Sequence, residues 1–256
     1  MSKQVALITG SSRGIGLATA IQLAKAGFNI ALNARAVSRE LDDAAQAVQA
    51  HGVKACKVAF DVRKVSQYDA ILDIIETDIG QITTLINNAG VSVLNRGDPL
   101  EVTEESYDRC FDVNTKALFF LSQNVVKRWL SSQRDPSLHY SIINVTSANA
   151  AAVAVARSEY CASKAASAMI SKTFAVRLGT ENIPVFDVQP GLIATEMTKV
   201  VIKEYQKRAE EGLCLFPRVG RPEELGTVIA SLATDRIPYT TGQVISVDGG
   251  MLVTRF

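Results

Sequence analysis

Close to its start the chain passes from a short apolar run, Gln4-Val-Ala-Leu-Ile-Thr9, straight into Gly10-Ser-Ser-Arg-Gly-Ile-Gly16. A segment carrying Ile15, Ala18, Ile21 and Ala24 at helical spacing follows. A buried strand, a tight turn and an amphipathic helix in that order form the first half of a βαβ unit. The alternation continues. Strand-like runs recur at Asn29-Ile-Ala-Leu-Asn33, Val53 to Phe60, Thr83-Thr-Leu-Ile-Asn87, Ser141-Ile-Ile-Asn-Val145, Val185-Phe-Asp-Val188 and Gln243-Val-Ile-Ser-Val247. Helical patterns occupy residues of about 15–26, 38–50, 66–79, 103–132 (with a break) and 158–180, and a shorter helix starts after Pro222, a residue suited to a first turn. This rhythm predicts an α/β fold, a doubly wound parallel sheet of about seven strands with helices on both faces. No low-complexity linker or short repeat divides the chain, so residues 1–256 read as a single domain.

Residues 191–221 break the rhythm. Met197, Val200, Val201, Ile202, Leu213, Leu215 and Phe216 stand there among charges. A long insertion after a strand's C-terminal end, where open α/β sheets bind ligands, predicts a substrate lid, with Met197 as a candidate substrate contact. The other reading is an extra helical pair covering the sheet edge.

The glycine turn between the first strand and first helix suits a pyrophosphate. Glycines allow the close approach, and the free N–H groups at a helix start point at the anion. The spacing is G-x-x-x-G-x-G, and Gly10, Ser12, Arg13, Gly14, Ile15 and Gly16 are the candidate contacts of a Rossmann-type dinucleotide site. An acidic residue at the end of the second strand would select NAD. The chain reads Asn33-Ala34-Arg35-Ala36 instead. Arg35, with Arg13, matches the 2′-phosphate of NADP(H), because guanidinium forks suit phosphate oxygens; alternatively, both are ordinary surface arginines.

Composition narrows the partners. The 27 basic and 26 acidic residues leave a formal charge of +1, without the basic excess that nucleic acid or an anionic membrane surface calls for. Lys127-Arg128-Trp129 reads as a solvated helix end. Cys56, Cys110, Cys161 and Cys214 form no CxxC pair, and His51 and His139 offer no metal constellation, so no metal is expected. Reduced thiols, no signal segment and no apolar run of spanning length place the expected location in the cytoplasm.

The second half carries the acid–base candidates. Tyr160 and Lys164 lie four apart, on one helical face. A phenol titrates at about 10, and a nearby ammonium favours the phenolate. Ser147 follows the fifth strand, where its hydroxyl can polarise a substrate oxygen, or simply cap a turn. Asn114 falls inside a helical pattern that it suits poorly.

Taken together, Thr9-Gly-x-x-x-Gly-x-Gly16, Asn87-Asn-Ala-Gly90, Asn114, Ser147, Tyr160-x-x-x-Lys164, Pro190-Gly191 and Val247-Asp-Gly-Gly250 resemble the short-chain dehydrogenase/reductase family, in its order and spacing over essentially the whole chain. The resemblance implies hydride transfer from NADPH to a carbonyl carbon while Tyr160 protonates the oxygen. Asn114 would hold a relay water, and Lys164 would also contact the nicotinamide ribose. It implies cofactor contacts from Asp61 and Val62 at the adenine, from Asn88, Ala89 and Gly90 at the adenosine ribose, and from Pro190, Gly191, Ile193 and Thr195 towards the nicotinamide. Ser147, Asn149 and Tyr160 would meet substrate.

The pattern looks most like the 3-oxoacyl-(acyl-carrier-protein) reductase branch. That branch commonly carries basic docking residues where this chain has Ser137-Leu138-His139 and Thr180-Glu181-Asn182. A sugar, polyol or other small-alcohol dehydrogenase is the second reading, and a non-catalytic NADP(H) sensor the third. The family also implies a homotetramer. Ala117, Leu118, Leu121 and Val125 on one long helix, and Ala165, Ala168, Met169 and Ala175 on the next, are candidates for its interface or for the chain's own core. The apolar tail Met251-Leu-Val-Thr-Arg-Phe256 would need covering in a monomer.

Overall fold

The computed structural model describes residues 3–255. Seven parallel strands form one sheet: β1 (Val5–Ile8), β2 (Asn29–Ala34), β3 (Ala55–Ala59), β4 (Thr84–Asn87), β5 (Ser141–Val145), β6 (Val185–Pro190) and β7 (Val244–Val247). Their spatial order is β3-β2-β1-β4-β5-β6-β7. The chain winds outwards from β1 to β3, then returns to the other side of β1 and winds outwards again. β1, β4, β5 and β6 are buried along their whole length, so their sequences do not alternate apolar with exposed polar residues, and polar members such as Asn87, Asn144 and Asp187 are buried with the rest.

Helices cover both faces. On one, α1 (Gly14–Lys25), α2 (Arg39–Gln49) and α8 (Pro222–Ala233) bury Leu23, Leu41, Val48, Leu225 and Ile229. α1 and α8 nearly touch. A Cβ on Gly226 would stand 2.7 Å from the Ala18 carbonyl oxygen, so only glycine fits. On the other face, α3 (Tyr68–Ile79), α5 (Ala117–Ser131) and α6 (Ser158–Leu178) bury Tyr68, Leu72, Leu121, Trp129 and Phe174. The reading of Lys127-Arg128-Trp129 as a solvated end is corrected here. Trp129 is core, donating to the Ile82 carbonyl at 2.6 Å, and Arg128 clamps α5 to α3 through Asp73 and Glu76 at 2.7 and 3.1 Å.

The break in the 103–132 pattern is real. α4 (Glu104–Cys110) widens into a π turn over Phe111–Lys116 before α5 begins. Residues 191–221 do not form a helical pair. One short helix, α7 (Ile202–Arg208), opens into a second wide turn, Ala209–Leu213, where Gly212 takes φ 95°. The segment has a small core of its own in Leu192, Tyr205, Ala209 and Cys214, yet leaves Val200 91% and Phe216 62% exposed. The interface stripes also resolve. Ala117, Leu118, Leu121, Val125 and Ala175 belong to the chain's own core, whereas Ala165 and Met169 are exposed and Ala168 is half-buried. Phe256 lies outside the described residues; Met251 packs against the small core.

Candidate active site

The order reverses between β1 and β4, and the C-terminal ends of those strands flank the crevice where doubly wound sheets bind ligands. β1 ends there in the glycine turn. Gly10 has φ 63° and Gly14 φ 58°, a left-handed backbone that glycine adopts without strain. A Cβ on Gly16 would meet the Gly10 carbonyl oxygen at 2.4 Å and the Asn88 amide nitrogen at 2.6 Å, so the turn closes only without one. A Cβ on Gly14 would have only the Thr195 methyl nearby, at 3.7 Å, which places Thr195 across from the helix start. Arg13, the N-cap of α1, makes no capping bond, and the first N–H groups of that helix have no intrahelical acceptor.

Three polar side chains hold this turn, and only Asn33 lies outside the motifs. Asn33, 1% exposed at the end of β2, accepts from the Gly10 N–H at 3.1 Å and donates to the Val58 and Phe60 carbonyls, each at 3.1 Å. The Thr9 hydroxyl accepts from the N–H groups of Asn88 and Ala89, both at 3.0 Å. Asn88 spends its amide on the Thr9 and Gly10 carbonyls at 2.9 and 3.0 Å. Its N–H donors thus fasten β4 to the turn, which leaves its carbonyl oxygens as the groups able to accept from a ribose hydroxyl. A buried asparagine at a strand end was the signal that could have found Asn33.

Other expected cofactor contacts divide. Arg35 stands exposed just past β2. Asp61 is half-buried and pairs with Arg63 at 2.6 Å, whose guanidinium holds its carboxyl below the usual range. Val62 is a core side chain whose carbonyl takes the Tyr68 hydroxyl. Gly191 passes so close to Asp248 that a Cβ would stand 2.7 Å from the Asp248 Cα. Ile193 turns inwards. Its side chain is 5% exposed in the core below α8, so only its backbone can face the site. Met197 is 54% exposed on the stretch before α7.

The acid–base candidates converge. The π turn carries Asn114, whose Oδ1 accepts from the Val91 N–H at 2.8 Å and whose amide donates to the Val91 carbonyl and Ser163 Oγ at 3.1 and 2.9 Å. The Asn114 carbonyl in turn takes the Ser167 hydroxyl at 2.9 Å. Lys164 is 4% exposed and donates to the Val145 carbonyl at 3.1 Å. Its Nζ lies 5.9 Å from the Tyr160 ring centroid. A Cβ on Gly90 would stand 3.3 Å from Asn114 Oδ1 and 3.5 Å from Lys164 Nζ. Ser147 does cap a turn, accepting from the Asn149 N–H at 3.1 Å, and its hydroxyl is also a partner of the Tyr160 phenol.

The electrostatics differ from expectation in one respect. Burial raises the Tyr160 pKa, and the Ser147 hydrogen bond and the Arg157 guanidinium, a cation the sequence reading did not consider, oppose the rise. Burial pulls Lys164 down to about 8, against the attraction of Asp187, so its neutral and charged forms coexist slightly above neutrality. A phenol, a lysine that can exchange protons near neutrality and a serine hydroxyl thus stand together near the glycine turn.

Known proteins share both the frame and its extent. The family model described as enoyl-(acyl carrier protein) reductase matches residues 10–252. A 3-oxoacyl-[acyl-carrier-protein] reductase of Staphylococcus epidermidis is 31% identical over 246 residues, covering 96% of this chain and 98% of that one. Among solved structures, a 3-oxoacyl-[acyl-carrier protein] reductase from Brucella melitensis in complex with NAD aligns at TM-score 0.96 and 32% identity, covering 100% of both chains. L-Sorbose reductase from Gluconobacter frateurii, complexed with NADPH and L-sorbose, aligns at TM-score 0.89 and 32% identity, covering 100% of this chain and 98% of its own. Sequence, site and fold agree, and the chain belongs to the short-chain dehydrogenase/reductase family.

Proposed function

We propose that this oxidoreductase interconverts a carbonyl and a secondary alcohol using NADP(H), with Tyr160 handling the proton. The observation that carries the reading is the convergence of Tyr160, Lys164, Ser147 and Asn114 beside the β1–β4 switch point. A dinucleotide fits the residues there: the uncapped start of α1 offers N–H groups to a pyrophosphate, and the glycines leave room for it. Gly10, Ser12, Arg13, Gly14, Ile15 and Gly16 would hold the phosphates, and Thr195 faces them. When bound, the nicotinamide supplies or accepts the hydride.

The remaining work falls to the chain. The Ser147 hydroxyl donates to the carbonyl oxygen and polarises it. Tyr160 then gives its proton to that oxygen as negative charge develops. A phenol whose pKa is raised by burial keeps its proton until such a strong base forms, which suits reduction. Lys164, near 8, restores the proton to Tyr160, and Asn114 fixes the loop and helix between which that proton travels.

Arg13 and Arg35 support the choice of NADP(H), since both are exposed at the phosphate end and no carboxylate occupies the end of β2. For substrate, one observation favours a small carbonyl compound over a carrier-bound thioester. Glu181 pairs with Arg134 at 3.5 Å and with Arg177 at 3.7 Å, so cations that would greet an acidic carrier protein are engaged within the chain.

Replacing Tyr160 by Phe tests the reading. The variant should fold and bind NADPH as before, yet lose about 100- to 10,000-fold in NADPH-linked ketone reduction. Near-normal turnover would remove Tyr160 from the chemistry.

A further inference from the structure

Arg157 occupies a position where helices ordinarily carry Ser, Thr, Asp or Asn. It is the N-cap of α6, which runs for 21 residues, and it makes no capping bond. Its charge also opposes the positive end of the helix dipole. Two other α-helices have an arginine at the N-cap. Arg221, before α8, is balanced by Glu224 at 3.9 Å. Arg13, before α1, makes no ion pair within 4 Å among the described residues, and it borders the turn shaped for phosphate. Arg157 is the second unbalanced case. Among the described residues it forms no ion pair, and Glu159, two residues on, faces inwards to Ser106 Oγ at 2.5 Å.

The guanidinium of Arg157 lies beside the reacting group. Its carbon is 5.5 Å from the Tyr160 ring centroid, and Nη2 donates to Asn149 Oδ1 at 2.8 Å. That bond aims the fork and leaves its other N–H donors for a ligand. A second cation comes from the neighbouring loop. The Gly97 N–H donates to the Ala156 carbonyl at 3.4 Å, which joins the loop bearing Arg96 to the one bearing Arg157. Arg96 in turn reaches the Tyr205 hydroxyl on α7 at 3.3 Å. A cation held against a helix dipole with no carboxylate partner breaks a local rule, and such breaks cluster at functional sites.

We infer that Arg157, seconded by Arg96, recognises an oxyanionic group, carboxylate or phosphate, carried a few bonds from the substrate's carbonyl. The inference rests on the carbonyl-reductase reading and narrows it: a 3-oxoacyl thioester bears no charge that close to its ketone, whereas an oxo acid or a keto-phosphate does. Asn149 then acts as a positioning residue for the guanidinium. Arg157 also opposes the rise in the Tyr160 pKa, so substrate charge and proton donor would meet the same cation.

The test uses ketone pairs that differ in charge: acetoacetate against its methyl ester, and dihydroxyacetone phosphate against dihydroxyacetone. With NADPH, the charged member of at least one pair should have the higher kcat/KM, by about 10- to 100-fold and mainly through KM. The favoured pair tells carboxylate from phosphate. Arg157→Gln should erase the preference and Arg157→Lys should keep part of it. A merely structural or pKa-tuning role would lower kcat for both members equally. In parallel, the two anions are titrated calorimetrically into the NADP+ complex, where reduction cannot proceed. Arg157→Gln should bind the favoured anion at least about tenfold more weakly. Neutral ketones reduced as well as their charged partners, or binding indifferent to Arg157→Gln, would overturn the inference and leave the reductase reading intact. Arg157-dependent binding with no ketone reduced would do the reverse.

Discussion

Lys164 shows how one side chain can link the site to stability. An unfolded lysine titrates near 10.5, while burial brings this one to about 8. Below about 8 the group is charged in both states, and the folded protein bears the full cost of burying it. Between about 8 and 10.5 the folded lysine loses its proton while the unfolded one keeps it, so stability rises with pH. Urea unfolding of the wild type and Lys164→Met at pH 7 and pH 10 should show the wild type gaining on the variant by up to about 3 kcal/mol. A gap independent of pH would mean that another group titrates. Arg35 permits a second check. Arg35→Ala should weaken NADPH binding by about 1.5–3 kcal/mol and leave NADH binding unchanged, read by direct titration; equal affinity of the unmutated protein for both cofactors would defeat the NADP(H) assignment. Of the site's side chains, the sequence disclosed those with chemical labels, Tyr160, Lys164, Ser147 and Asn114. It hid Asn33 and Arg157 and the bonding role of Thr9, which come from partners 22 to 80 residues away or from a cap position that no spacing rule marks.

At the scale of elements, helices and strands were largely legible because each carried its own period and its own stop. Pro222 does open α8, and Asn29-Ile-Ala-Leu-Asn33 does form β2, one residue longer than read. The irregular elements were less legible. A π turn at Phe111–Lys116 appeared only as a break, because what holds its extra residue is the bonding of Asn114 to Val91 and Ser163, and neither partner is close in sequence. The same holds for α7, whose wide turn hinges on the left-handed Gly212. The cap of α6 gives this scale its prediction. Arg157→Ser supplies a preferred N-cap and removes a charge that opposes the dipole, so the variant should be more stable by about 0.5–1 kcal/mol. A calorimetric melt should move up by about 1–4 °C. A lower melting temperature would assign Arg157 a structural role through Asn149.

For the molecule as a whole, the surface points to association. Among the described residues β7 pairs only with β6, and Val244 at the sheet edge is 42% exposed. Open edges of this kind are usually covered. A second surface gathers Phe111, Phe119, Phe120 and Ile170 around an open depression, with Met169 62% and Val176 84% exposed on the same helix as Ile170. These residues, rather than the buried stripe on α5, are the candidates for pairing across a two-fold axis, and two distinct faces suffice for a tetramer. Light scattering at micromolar concentration should give four times the 27.6 kDa chain mass; a single-chain mass would leave both faces open to solvent. Periodicity alone could not choose between these faces, because apolar spacing is the same whether a stripe meets its own sheet or a second copy.

The doubling back of the chain at β1 also sets a timetable. β1 takes β2 as a neighbour within about one helix's length of chain, but its other edge waits for β4, with Ala6 opposite Thr84 and the Val5 N–H bonded to a side chain 78 residues on. At a synthesis rate of about 5–20 residues per second, that edge stays open for about 4–16 s while the strands outward of β1 are already available. During that interval the four apolar residues of β1 are half-paired, and the turn that follows lacks the Asn88 fastening that closes it. The segment bearing the phosphate turn leaves the ribosome well before the strand that completes it, so its exposure to wrong partners is a property of the topology rather than of the residues in it.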